Sequence, residues 1–564
     1  MRWTIRGLAV TVCWCGYGLF FGPVATAQEL APLSISLTTV AGAQLGGRVE
    51  LHQEGAMPRS ILLPTGRARL EVPVGEYEAH IFAYTRRVAM LVEIMPLSVR
   101  PGVEGRLAYE LLEGATASVP LTAFDRDGDR VLDRVEMARG TDPDDPASYP
   151  GAIPVPFPDR VFSSEAGWYK GELHAHTSHG RGSESVGELI RRAERAGLDF
   201  LAITDRNTMA AVSDPEFTSD RLVLIPGMEW GSDDRGYALI YGPRTLPPQA
   251  DVMQDAQAIL ERVQFQGGVF AVAHPCFPHA PWQWGLSYVN AVQVWCRDWR
   301  GVPGTSYEVL MEPLRERRDG QLIHSIALAM ANPLRTPDGS QSAIPTLSAN
   351  GQAQRFFDYE VSQGLKACMI GGSNTASPRV PIGSPVTYVF AREKSAAGIL
   401  EGIRLGRTVI ARDVNAPRVI LKADAGSTGR IDVGEGGVVP LGMETDFIVQ
   451  VEGGRGFQAQ LLENGVPIRT IDIESNSQGF VVGRLPTGYS VYRARIIGPP
   501  KTPGYGPNEL YAASSPIYAQ TIVPYDPELG PDAFWLRIDP DDAGAQEPDF
   551  TRLDAVTYDN LQRY

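Results

Sequence analysis

Residues 171–207 read GELHAHTSHGRGSESVGELIRRAERAGLDFLAITDRN, and this stretch restricts the fold more than any other. Its first five residues alternate apolar and polar, and they lead into two histidines, His174 and His176, one residue apart. In a strand, residues i and i+2 face the same side, so both imidazoles can reach one metal ion. A glycine-rich loop follows, then a helix. Ser185 with Glu188 three residues on forms a capping box, and Val186, Leu189, Ile190 and Ala193 make the apolar stripe. Gly197 stands where a helix C-cap needs it, and residues 199–204 read as the next buried strand. The unit is strand–loop–helix–strand, with potential ligands at the C-terminal ends of its strands, where barrel enzymes keep their chemistry.

The blocks HAHT (174–177), LAITDRN (201–207), IPGMEW (225–230), VFAVAHP (269–275), GGSNTAS (371–377) and IGSPVTYVF (382–390) act together. Over roughly residues 161–414 they resemble the PHP (polymerase and histidinol phosphatase) domain, in particular its secreted branch similar to carbaryl-type ester hydrolases. The resemblance implies an α/β fold, a PHP-type seven-stranded β/α barrel holding up to three divalent metals on nine ligands. His174, His176, Glu229 and His274 match ligand positions. Arg181 stands where the family has an aspartate, Arg206 and Tyr237 where it has histidines, and Asn374 and Ala376 where it has a closing Asp–His pair.

The resemblance therefore implies one divalent metal (Zn, Mn or Fe) on His174, His176 and Glu229, with a weak carbonyl oxygen from Asn374. Glu229 and His274 are what remains of a second site. Asp205 fits a second carboxylate layer that orients a histidine, and Asp205 and His274 are the expected catalytic groups. Hydrolysis of a phosphoester, or of an aryl or carbamate ester, is one reading. The other is a non-catalytic descendant that binds an anionic or aromatic ligand. Arg181 and Arg206 bring two positive charges to the place of a cation. They either grip an oxyanion bidentately, with Tyr237 and His274 as hydrogen-bond partners, or pair with Asp205, Asp233 or Asp234 and plug the hole.

Residues 1–27 carry Arg2 and Arg6, an apolar core and a small-residue end at Ala25–Thr26–Ala27, the pattern of a cleaved signal peptide. Export to the periplasm or medium is expected, with no membrane span thereafter. Cleavage removes two arginines, so the formal charge moves from −15 to −17. An acidic chain without a basic run argues against nucleic acid as a partner and leaves a small anionic or aromatic molecule. Three cysteines remain, and Cys276 with Cys296 is the expected disulfide if one forms.

All-β sandwich domains are expected on both sides of the barrel, at 28–119 and 415–525, with an acidic tail at 526–564. Between the first sandwich and the barrel, residues 125–136 read DRDGDRVLDRVE. Asp125, Asp127, Asp129, Asp133 and Glu136 fall at positions 1, 3, 5, 9 and 12 of a calcium-binding loop, and Val131 supplies a carbonyl at position 7. Arg130 takes position 6, where glycine is usual, and has to adopt positive φ. Trp282, Trp284, Trp295 and Trp299, with Phe277 and Pro281, either wall an aromatic pocket beside the metal or pack a long loop. Residues 310–352 read as an insertion over the barrel mouth.

Overall fold

The computed structural model describes residues 29–85, 88–112, 121–277, 280–297, 349–499 and 509–520. The expected signal peptide, Trp299, nearly all of the 310–352 segment and the acidic tail lie outside these residues.

Residues 30–111 form two facing antiparallel-rich sheets. One contains Arg67–Pro73, Leu30–Thr39 and Gly105–Leu111, in that order; the other contains Arg59–Leu63, Gly47–His52, Gly75–Tyr84 and Ala89–Val99. Period-two burial drives this pairing: along Leu30–Thr39, Ala31, Leu33, Ile35 and Leu37 point inward while the residues between them stay partly exposed. They meet Val49, Leu51, Ile81 and Met90 in one sandwich core.

The acidic loop connects this sandwich to the larger body through the short helix Asp133–Arg139, which ends at Gly140 with φ 75°. The strands Gly167–Ala175, Phe200–Ile203, Val223–Ser232, Gly236–Tyr241, Val269–Val272, Ala291–Cys296 and Cys368–Gly372 are then hydrogen-bonded in sequence order. Most neighbours run parallel, but Gly236–Tyr241 is antiparallel to both of its partners. Intervening helices include Val186–Arg195, Met253–Phe265 and Ala349–Ser362. The capping box forms as read: Ser185 accepts from the Glu188 N–H while the Glu188 side chain reaches back, and Gly197 follows at φ 69°.

Strand pairing does not by itself establish the expected seven-stranded barrel: among the described residues no ladder joins the first and seventh strands. Their ends are linked by the bridge Ala175 to Thr375, with His176 N–H donating to Thr375 O at 2.8 Å, and by Ser373 N–H donating to Glu172 Oε1 at 2.8 Å. On its other side Gly167–Ala175 pairs with Val386–Ala391, and the sheet runs on through Thr408–Ala411 into Glu509–Ser514 and Ser490–Gly498. The C-terminal β region is thus continuous with the central sheet and adds the three-stranded sheet of Arg418–Ala425, Thr445–Glu452 and Ser477–Arg484. Its hairpin at Asn464–Gly465 turns with both residues at positive φ, as an Asn–Gly pair favours. No helix among the described residues is long and apolar enough to cross a membrane.

Two further expectations change. Cys276, Cys296 and Cys368 are all buried free thiols, so the Cys276–Cys296 disulfide does not form; the Cys296 sulfur instead accepts from Asn374 Nδ2 at 3.4 Å. Trp282, Trp284 and Trp295 are buried in the apolar core with Phe356 and Phe357, so these three tryptophans pack the body.

Candidate metal centre

The strand Gly167–Ala175 delivers His174 and then His176 at its C-terminal end, Val223–Ser232 delivers Glu229, and His274 follows Val269–Val272. All four side chains are 5 % exposed or less. Glu229 lies at the centre. Its Oε1 is 3.3 Å from His174 Nε2 and 3.2 Å from His274 Nε2, and ligand atoms of these three residues lie within 4.8 Å of one another. The His174 and His274 rings stack at 5.6 Å.

A residue that the sequence reading passed over fixes the chemistry of His174. Gln293, inside the strand Ala291–Cys296, accepts the His274 backbone N–H on its Oε1 at 3.2 Å, which identifies that atom as the oxygen. The same oxygen is 3.1 Å from His174 Nδ1, so Nδ1 carries the proton. Burial lowers the His174 pKa and keeps the ring neutral. Nε2 is then a bare lone pair, buried without a hydrogen-bond partner of good geometry and aimed at a carboxylate oxygen. Burial alone would raise the Glu229 carboxyl, but the polar contacts around it outweigh this and hold it well below the usual carboxylate range.

The other carboxylate oxygen, Oε2, belongs to the arginines. Arg206 Nε donates to it at 3.0 Å while the guanidinium lies over the Tyr237 ring at 4.3 Å. Arg181 Nε is 3.9 Å from it, and Arg181 Nη2 donates both to His176 Nε2 at 2.9 Å and to Asn374 Oδ1. Arg181 therefore fills the space between His176, Asn374 and Glu229 that a cation on those three groups would take. Of the expected ligands, His176 and Asn374 face the Arg181 guanidinium, while His174, Glu229 and His274 are the three whose ligand atoms gather within 4.8 Å. The geometry also corrects the partners of the arginines, which pair with Glu229 and only distantly, through Arg206, with Asp233 at 3.8 Å.

Two more assigned roles do not match the geometry. Asp205 orients no histidine of the cluster: its Oδ1 accepts the Thr177 N–H at 2.7 Å and its Oδ2 the Thr177 hydroxyl at 2.5 Å. Its task is to hold the turn after His176, where Gly180 packs so closely that a Cβ would lie 2.6 Å from Asp205 Oδ1. The Tyr237 hydroxyl is spent on Asp233 at 2.8 Å rather than offered to a ligand. Behind the site, fully buried Glu172 accepts the N–H groups of His174, Ser373 and Gly383 at 2.8–2.9 Å and ties three segments together. A charged residue within an apolar strand was the available signal for Glu172, as a lone amide was for Gln293.

Two other clusters of ligand-type side chains occur among the described residues. Asp125, Asp127 and Asp129 form one, and Glu50, His52 and His80 the other. In the latter the stacked His52 and His80 rings turn Nε2 to Glu50 at 3.1 Å and Glu78 at 3.0 Å. A cavity of about 450 Å³ lined by Trp168, Phe390, Arg407, Lys422 and Glu435, among others, contains none of the metal-centre residues.

The chain matches no protein-family model and no curated protein. Similar solved structures share little sequence with it. One is a two-domain protein from Bacteroides vulgatus containing a predicted PHP-like metal-dependent phosphoesterase: 13 % identity, 64 % of this chain and 99 % of that one, TM-score 0.28. Another, from Bifidobacterium adolescentis, is described as a candidate metal-dependent phosphoesterase: 14 % identity, 38 % and 89 % coverage, TM-score 0.23. The CARDB domain of a Pyrococcus furiosus protein overlaps 19 % of this chain and 96 % of its own, at 13 % identity and a TM-score of 0.13. Overlaps of this size fix no function for this chain.

Proposed function

We propose that the chain is an exported hydrolase with a single divalent metal, acting on an anionic ester and foremost on a phosphoester. The observation that carries this reading is the pair of acceptors facing one another in the core, His174 Nε2 and Glu229 Oε1, with His274 Nε2 beside them. Two buried lone pairs at 3.3 Å repel unless a proton or a cation lies between them. Two imidazoles and a carboxylate suit Zn, Mn or Fe and would leave a coordination position open.

When bound, such an ion supplies a water of lowered pKa as nucleophile. The chain's own residues do the rest. Gln293 holds the His174 ring in the tautomer that presents Nε2, and Glu172 holds the backbone that carries it. Arg181 and Arg206 neutralise the second oxygen of Glu229, and their side chains, 37 % and 33 % exposed, keep positive charge at the mouth. That charge favours an anionic substrate over a neutral carbamate, since a guanidinium pairs with phosphate in a planar, bidentate fashion.

The test is metal analysis of the purified chain together with turnover of an aryl phosphate. One transition-metal ion (Zn, Mn or Fe) per chain, with His174→Ala abolishing both that ion and turnover, is expected; Arg206→Ala should mainly raise KM. Two or three transition-metal ions per chain would sink the ligand assignment. One observation favours a second reading, a non-catalytic anion binder: Arg181 already occupies the space between His176 and Asn374. That reading requires no metal and no turnover, with phosphate binding that Arg181→Ala weakens. Export is tested by mass spectrometry of the mature N-terminus, expected at Gln28.

A further inference from the structure

The loop 125–136 lies between the N-terminal sandwich and the helix Met253–Phe265, and both sides are bonded to it. On the sandwich side, Leu91 N–H donates to Arg130 O at 2.9 Å and Leu132 N–H donates to Leu91 O at 3.1 Å. On the helix side, Arg130 Nε donates to Glu261 at 2.7 Å and Arg262 Nε donates to the Asp129 carbonyl at 2.6 Å. The Phe265 ring closes on Gly128, where a Cβ would lie 2.4 Å from it.

Inside this wedge three buried carboxylate oxygens have no hydrogen-bond partner. Asp129 and Glu136 are fully buried, and Asp125 is 2 % exposed. Asp127 Oδ1 and Asp129 Oδ1 each accept a loop N–H, which leaves Asp127 Oδ2, Asp129 Oδ2 and Glu136 Oε2 buried with no partner. Asp125, Asp127 and Asp129 have ligand atoms within 4.8 Å of one another. The Val131 N–H points back onto Asp129 Oδ1 at 2.8 Å. In extended backbone the N–H and C=O of one residue face the same side, so the Val131 carbonyl faces the cluster as well. Arg130 reaches Asp125 at 2.9 Å and is shared with Glu261.

We propose that this loop binds one Ca²⁺ and that the ion clamps the N-terminal sandwich to the larger body. Asp125, Asp127, Asp129, Glu136 and the Val131 carbonyl are the ligands. An all-oxygen set at spacing 1, 3, 5, 7 and 12 on a flexible loop is a calcium set rather than the octahedral one Mg²⁺ needs. Asp133 is not among the direct ligands: Arg126 N–H and Nε hold its two oxygens at 2.9 and 2.8 Å. Arg130, with φ 72°, uses the position that glycine usually fills to carry a guanidinium across to Glu261, so filling the loop and docking the helix are one event. The clamp is independent of the hydrolase reading.

The experiment is calorimetric titration of the metal-stripped full chain with CaCl₂, paired with limited proteolysis of residues 140–158. One saturable Ca²⁺ per chain is expected, unaffected by His174→Ala and weakened at least tenfold by Asp129→Asn with Glu136→Gln. EDTA should speed cleavage at least tenfold, Ca²⁺ should restore protection and Mg²⁺ should not. Arg130→Gly should keep Ca²⁺ affinity within about threefold yet lose the protection. If the double variant does not fold, the wild-type titration and digestion still decide. No saturable uptake overturns the site, and an EDTA-insensitive digestion overturns the clamp.

Discussion

At the C-terminal edge of the central sheet, the proton on one imidazole is set by an amide on another strand. Gln293 Oε1 takes both the His274 N–H and the His174 Nδ1 proton, and that leaves His174 Nε2 as an acceptor facing Glu229. Gln293→Leu keeps the volume and removes the acceptor. Loss of such an orienting partner typically weakens metal binding about 10- to 100-fold. Zinc titration of the stripped variant should show a loss of that size, with the unfolding midpoint changed far less than by His174→Ala. Arg130 makes the same point about a single residue in the opposite sense. It accepts positive φ, at a cost of about 1 kcal/mol, in order to place a guanidinium that glycine does not have.

Among the elements, the helix Val186–Arg195 shows the most direct route from sequence to structure. Its buried face is Val186, Leu189, Ile190 and Ala193, and its first turn is closed by the Ser185–Glu188 capping box. Glu216 adds a contact, accepting from the Ser185 hydroxyl at 2.9 Å. Ser185→Ala should therefore cost about 1 kcal/mol, the usual worth of an N-cap side chain, read as a lowered urea midpoint with an unchanged m-value. Because the cap lies on the loop that carries Arg181, hydrogen exchange should quicken there first. The capping pair was legible because its partners are three residues apart. The commitment of Arg181 was not, because His176 lies on the preceding strand end and Asn374 comes from nearly two hundred residues away.

Over the whole molecule the C-terminal β region is joined to the central sheet by shared strands and by one buried ion pair. Arg493, 2 % exposed, meets Asp358 of the helix Ala349–Ser362 bidentately at 2.5 Å. Removing one partner of a buried pair strands the other, which typically costs about 3–5 kcal/mol. Asp358→Asn should lower the unfolding free energy by that order. Since the strands Thr408–Ala411 and Glu509–Ser514 are bonded to each other, the central and C-terminal regions should unfold in one transition. Two resolved transitions in calorimetry would show separate domains instead.

The sequence by itself determined what depends on neighbours close along the chain. Period-two alternation set the sandwich strands, a 3.6-residue stripe and its cap set the helix, the Asn–Gly pair set a hairpin, and acidic spacing marked the loop at 125–136. It also named the four residues His174, His176, Glu229 and His274 that gather at the strand ends. Only the tertiary structure decided which of them face a common point, because that depends on strand curvature and on side chains such as Gln293, Glu172 and Arg181 that meet them from elsewhere. It likewise made the central sheet continuous with the C-terminal strands, and kept Cys276 and Cys296 apart as buried thiols. Those outcomes are set by packing between segments distant in sequence, for which a local pattern carries no term.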